Sequence, residues 1–204
     1  VETILVKNGK IQNKTAHFNR MKKSAKMLGV QMQKVDTSLR EVSKANDEAI
    51  QKNTYIMRIL LSRNGHFETQ YFPLDKIKSN KISISDVILN SKEPLLYHKT
   101  TFRPWYEATA EKIKKGEIFD EIFFNEKGEL CEGSRSNIIL QISSKLYTPP
   151  VKCGLLNGVM RQKTLNNVVI PKHKLPAETS GVHIRDLTSM RCRIKDDFFN
   201  NNKQ

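Results

Sequence analysis

Lys99 closes a short apolar run, Leu95-Leu96-Tyr97, and is followed by two threonines and then Arg103. A lysine half-buried beside other cationic groups has a depressed pKa and can act as an amine nucleophile. A strand-end lysine that snorkels to water fits the same local sequence, and spacing alone favours that plainer reading. Other chemistries find less support. Five histidines (His17, His66, His98, His173 and His183) form no HExxH and no i, i+4 pair, so no metal site is expected. No serine sits in a GxSxG elbow, and neither a P-loop nor a GxGxxG occurs. Cys131, Cys153 and Cys192 lack CxxC spacing, and an odd count cannot all pair. That argues against a disulfide scaffold or zinc ribbon and makes a reducing cytoplasm the expected compartment.

The elements that must position such residues are legible from period and punctuation. Val1 to Val6 alternates as a strand, and Asn8-Gly9 turns it into Lys10-Ile11. From His17 to Gly29, Phe18, Met21, Ala25 and Leu28 recur at helical spacing, and Gly29 stops the helix. A second helix is expected from Ser38 to about Gln51. Thr54 to Ser62 reads as a strand, with Asn64-Gly65 as a hairpin turn into Phe67 to Phe72. Ile56, Arg58, Leu60 and Ser62 then share one face, and an arginine among apolar neighbours is either an edge residue or aimed into a site. Residues 75–93 are polar and rich in Ser and Lys, and Pro94 punctuates them, which sets the expected domains at 1–93 and 94–204. Beyond that boundary, Leu95 to Tyr97 reads as a short strand and Trp105 to Lys115 as a helix ended by Gly116. Glu121 to Phe124, Glu129-Leu130, Ile138 to Ile142 and Lys145 to Tyr147 read as strands, and Val159 to Val168 as a helix.

At 204 residues the chain is long enough to bury proper cores, and 35 basic against 21 acidic residues give it a net charge of +14. Such a balance suits a nucleic-acid binder or an enzyme with anionic ligands. The lysines are scattered and aromatics are only 7%, so plain solubility is the stronger reading and no specific nucleic-acid partner is expected. No apolar run approaches the roughly 18–20 residues of a membrane span. No membrane association is expected.

Three motifs change these odds. Gly128 to Ile138 reads GELCEGSRSNI, Leu146 to Pro150 reads LYTPP, and Gly154 to Gln162 reads GLLNGVMRQ. In this order they resemble the signature of the class IV aminotransferases, the fold-type IV family of pyridoxal phosphate enzymes. His17-Phe18-Asn19-Arg20 is similar to that family's upstream HxxR helix. Lys99 lies where the family's Schiff-base lysine does, about thirty residues before the motif's glutamate.

The resemblance implies a two-domain α+β fold of the D-amino-acid aminotransferase-like type. Its small α/β domain would span 1–93 and a larger β-barrel-like domain with helices 94–204, with pyridoxal 5′-phosphate at the interface and a homodimer as the assembly. Lys99 would capture the cofactor and carry the substrate's proton. Glu132 would keep the pyridine nitrogen protonated, and Ser136 and Asn137 would sit beside the ring. Arg20 and the amides of Val159 and Met160 would hold the phosphate, joined by Ser189 in Thr188-Ser189-Met190-Arg191. The charged segment Cys192 to Asp197 stands where the family has an apolar strand. Within the family, Lys99-Thr100-Thr101-Phe102-Arg103 with Tyr106 looks most like the aminodeoxychorismate lyases. Thr3 would then assist proton transfer, and Arg58, Arg63 and Arg103 would meet the two carboxylates of a small-molecule substrate. The reaction implied is elimination of pyruvate from 4-amino-4-deoxychorismate to give 4-aminobenzoate, a folate precursor. Transamination of branched-chain or D-amino acids uses the same Lys99, Glu132 and Arg20. A non-catalytic basic binding protein on the same scaffold is the reading of another class.

Overall fold

The computed structural model describes residues 1–32, 54–74, 77–142, 145–167 and 191–195. The chain divides into two units, Val1–Lys76 with Lys99–Thr101, and Ile77–His98 with Phe102–Gln204. The break therefore comes earlier than composition suggests, for a reason that lies in the second unit's sheet.

The first unit is built on a four-stranded antiparallel sheet in the order β2-β1-β3-β4. Its strands are β1 (Glu2–Lys7), β2 (Lys10–Ile11), β3 (Thr54–Leu61) and β4 (Phe67–Pro73). Asn8 and Gly9 both adopt positive φ, 50° and 70°, as a two-residue hairpin turn demands. The pairings Ile4↔Met57 and Met57↔Tyr71 fix the faces. Ile4, Val6, Tyr55, Met57 and Ile59 therefore point one way and form a buried cluster with Met21. Helix α1 (Lys14–Met27) lays its His17, Met21 and Ala25 on that face, four residues apart. Leu28, expected in the stripe, is exposed because the helix has already ended: Gly29 takes φ 67° and Val30 N–H bonds Ala25 O at 2.8 Å. The helix expected over 38–51 lies outside the described residues.

Among the described residues the second unit holds two three-stranded sheets. The first has β5 (Ile82–Leu89) parallel to β6 (Asp120–Asn125), and β6 antiparallel to β7 (Leu130–Gly133). The second, in the order β10-β8-β9, is antiparallel and contains β8 (Asn137–Ile142), β9 (Lys145–Tyr147) and β10 (Arg191–Lys195). Helix α2 spans Glu107–Lys115, ended by Gly116 at φ 79°, and helix α3 spans Val159–Asn167.

Three local expectations are corrected here. The polar stretch before Pro94 contains β5, whose partner β6 lies some forty residues on, so pairing recruits it into the second unit. Leu95 to Tyr97 is not a strand but part of a 3-10 turn, Pro94–Tyr97, started by Pro94 and capped when Glu93 accepts from Leu95 N–H at 3.1 Å. The charged segment after Met190 does form a strand, β10, through main-chain pairing of Ile194 with Ile138 and Cys192 with Leu140. Backbone ladder bonds are indifferent to side-chain charge, and edge strands commonly carry it.

Strand β6 is buried along its whole length. Phe123 packs with Leu89, Leu96, Tyr106, Cys131, Cys153 and Leu155, while Ile122 and Phe124 join Leu130, Ile138 and Leu140. Fully burying such side chains stabilises by about 1.5–3 kcal/mol each. No helix among the described residues is long and apolar enough to cross a membrane.

Candidate active site

In the first unit, Val1 N–H donates to Lys99 O at 2.8 Å, which pins the half-buried lysine beside the head of β1. Thr3 lies two residues on and pairs with Arg58, which in turn pairs with Gln70. Thr3 and Arg58 therefore share the sheet face opposite α1. Arg63 stands apart from them, exposed in the turn between β3 and β4.

Arg20 is held by a residue that sequence reasoning missed. Glu2 is 2% exposed on the α1 side of β1. Arg20 Nε donates to Glu2 Oε1 at 2.8 Å, its NH2 donates to Oε2 at 2.5 Å, and His17 Nδ1 lies 2.7 Å from Oε2. Helical spacing puts residues 17 and 20 on one face, and strand alternation puts Glu2 with Ile4 and Val6. Together these were the signal that an acid on an apolar strand face would meet them.

Burial alone would raise the Glu2 carboxyl, but the hydrogen bonds from Arg20 and His17 outweigh it and hold it at about 2. Because the folded value is depressed, the stabilisation is complete above the ordinary value of 4.5 and is lost as pH falls toward 2. Its size is about 3 kcal/mol at neutral pH. Glu2→Gln should therefore unfold at lower urea than the parent at pH 7, with the gap closing by more than half at pH 3. A gap independent of pH would sink the assignment.

In the second unit, Glu132 on β7 is 2% exposed and accepts on both oxygens. Oε1 takes Tyr106 O–H at 3.0 Å and Arg103 NH2 at 3.2 Å. Oε2 takes Leu156 N–H at 3.1 Å and Asn137 Nδ2 at 3.3 Å. Asn137 also donates to Leu156 O at 2.9 Å, so its side chain joins the glutamate to the segment that starts α3. Gly158 is required there, since a Cβ would run into Asn137 Oδ1. Val159 and Met160 open α3, where N–H groups lie outside the helix's own ladder and the dipole favours an anion. Arg161 ties the same turn down, donating to Asn157 Oδ1 at 2.9 Å and to Pro149 O at 2.8 Å. All three sequence motifs are thereby wired into one cluster.

The Ser136 hydroxyl donates to Asp120 Oδ2 at 2.6 Å. Asp120, fully buried at the start of β6, also accepts from Ser134 N–H at 2.9 Å and Ser134 Oγ at 2.6 Å. A Cβ on Gly133 would collide with Asp120 Oδ2 and would crowd Ser136 Oγ at 2.5 Å. The serines thus fold the turn that follows Glu132, and Asp120 organises it. Sequence reading passed over Asp120 because nothing local marks the partner of a turn 14 residues away. Ser189 lies outside the described residues.

A sequence profile of the family described as amino-transferase class IV matches residues 1–191. The chain belongs to the class IV aminotransferase family. Two curated relatives of this class IV chain carry different names. It is 28% identical over 160 residues to a Schizosaccharomyces pombe protein named "Putative aminodeoxychorismate lyase", covering 74% of this chain and 67% of the relative. It is 26% identical over 180 residues to a Thermotoga maritima protein named "Probable branched-chain-amino-acid aminotransferase", covering 84% and 63%. The chain thus spans about two thirds of the length of the curated relatives it matches. Among solved structures, the PLP-bound form of a hypothetical aminotransferase from Mycobacterium tuberculosis superposes with a TM-score of 0.69 at 18% identity, covering 97% of this chain and 76% of that one. The architecture is the α+β fold-type IV aminotransferase structure.

Proposed function

We propose that this class IV chain is a pyridoxal phosphate-dependent lyase that converts 4-amino-4-deoxychorismate to pyruvate and 4-aminobenzoate. The observation that carries a cofactor reading is Glu132, a buried carboxylate with two donors on each oxygen, tied through Asn137 and Leu156 to the start of α3. Pyridoxal phosphate asks for an amine, an acidic partner for its ring nitrogen and an anion cradle, and Lys99, Glu132 and the Val159–Met160 turn fit those needs. When bound, it supplies an electron sink for a carbanion next to the substrate's nitrogen.

The chain's own residues do the rest. Lys99 would hold the cofactor, and its amine would take the proton from the carbon that bears the substrate nitrogen. The enolpyruvyl C–O bond breaks with its electron pair on oxygen, the ring becomes aromatic, and the enol picks up a proton to become pyruvate. Thr3 is proposed to assist that proton, and Arg58, with Arg63 as a further candidate, to meet the substrate carboxylates. Arg20, braced by Glu2, is the proposed phosphate cation, with Ser189 as a further phosphate contact. The proposed assembly is a homodimer, and no specific nucleic-acid partner is proposed.

The likeness to the Schizosaccharomyces pombe relative and the Lys99-to-Arg103 segment support elimination. Transamination is the second reading, favoured by the Thermotoga maritima relative. Both begin with the same proton removal and differ in whether a leaving group departs before a proton returns. Incubation with 4-amino-4-deoxychorismate should release pyruvate and 4-aminobenzoate in equal amounts. Branched-chain or D-amino acids with 2-oxoglutarate should yield little glutamate. The reverse pattern replaces the lyase with the aminotransferase, and silence in both assays favours the non-catalytic scaffold.

A further inference from the structure

We propose that Arg103 and Tyr106 are positioning residues for Glu132, fixing the orientation and the anionic state of the carboxylate on which the cofactor reading above rests. Both donate to the same oxygen, Oε1, at 3.2 and 3.0 Å. Arg103 is itself anchored, because its NH1 donates to Ser134 O at 2.9 Å and its guanidinium lies 4.2 Å over the Tyr106 ring. The Tyr106 ring is wedged edge-on against Phe123, with centroids 4.7 Å apart, and against Trp105 at 5.9 Å. Burial and the neighbouring Glu132 charge push the Tyr106 phenol up, so it stays protonated and stays a donor.

Charge assigns the larger share to Arg103. Beside the neutral donors Tyr106, Asn137 and Leu156 N–H, it brings a positive charge to the carboxylate. Among the described residues, Arg161 also feels Glu132, but its own donors go to Asn157 and Pro149, and so does Cys131, whose thiol is pushed up by burial and stays neutral. With NH1 on Ser134 O and NH2 on Glu132 Oε1, Arg103 is assigned here to positioning the carboxylate, beside the substrate contact that the sequence led one to expect of it. The segment also has a consequence for coupling. Arg103 caps the start and Tyr106 forms the end of the 3-10 turn Pro104–Tyr106, closed by Tyr106 N–H to Arg103 O at 3.0 Å, and Arg103 lies four residues after Lys99. One short stretch of chain carries the proposed amine and the two groups that set the proposed acid.

The test reads the carboxylate directly, without cofactor. Apoprotein labelled with carbon-13 at glutamate side-chain carboxyls is titrated by NMR, with the Glu132 signal assigned by its loss in Glu132→Gln. Arg103→Met should move the Glu132 titration up by about one pH unit or more, since an opposite charge at this range is worth 1–3 units. Tyr106→Phe should move it in the same direction by less, and Arg103→Lys should bring it back toward the parent. Titration of Arg103→Met and Tyr106→Phe together with the parent overturns the proposal. If Arg103→Met fails to fold, Tyr106→Phe, which loses one hydroxyl, decides alone by the same criterion. Absorbance titration of the parent with pyridoxal phosphate runs separately: no binding there, with the carboxylate shifts intact, removes the cofactor reading and not the role of Arg103 and Tyr106 toward Glu132.

Discussion

Lys99→Ala is expected to abolish covalent capture of pyridoxal phosphate and to lower turnover of 4-amino-4-deoxychorismate by at least about 10⁴-fold, the upper range for loss of a positioned base alone. The loss is large because one amine has two tasks, holding the cofactor and moving the proton, and methyl does neither. Exposed lysines such as Lys22, Lys23 and Lys26 on α1 are no substitute. In water an ammonium keeps its proton near pH 7 and is a poor nucleophile. The check is borohydride reduction of protein mixed with cofactor, followed by peptide mass analysis. The parent should carry the label on the peptide containing Lys99, and the variant should carry none. A variant that is still labelled at the same yield would remove Lys99 from the reaction.

Glu132→Gln is expected to keep bound cofactor while losing about 10²–10³ in turnover, the usual worth of one preorganised electrostatic contact. Glutamine preserves the volume and, with its carbonyl oxygen at the Oε2 position, still accepts from Leu156 N–H and Asn137. Its amide can donate to the Tyr106 hydroxyl, and only Arg103 loses its acceptor. Alanine is a different experiment. It strips the acceptor from Arg103, Tyr106, Asn137 and Leu156 N–H at once. Breaking a buried ion pair from one side costs about 3–5 kcal/mol. Comparing the two variants by thermal unfolding and by single-turnover release of pyruvate separates the electrostatic role from the structural one. Near-parental turnover in a folded Glu132→Gln protein would take the residue out of the chemistry.

Much of the architecture was readable in advance, and for specific reasons. The Asn8-Gly9 and Asn64-Gly65 turns, the alternation in β3 and β4, and the four-residue spacing of Met21 and Ala25 are local properties, so a local reading finds them. The motif around Glu132 was equally legible, because its residues are contiguous and the chain keeps GELCEGSRSNI, LYTPP and GLLNGVMRQ in order. Strand β5 was passed over because the Lys- and Ser-rich residues just before it gave the whole stretch a polar reading. Its claim to be a strand rests on a parallel partner that begins at Asp120.

The amino-acid sequence by itself determined which groups are present and which local elements carry them: an amine at Lys99, an acid at Glu132, an arginine on α1 and a helix start at Val159. Only the tertiary structure decided whom they meet. Arg20 faces Glu2 across 18 residues of chain, Arg103 turns to Glu132 across 29, and Ser136 is spent on Asp120 across 16. Hydrogen-bonding and turn preferences act over three or four residues and are written in the local sequence. The acceptor of a buried cation is chosen by which strand and helix faces pack together, and each burial must find its partner or cost several kcal/mol.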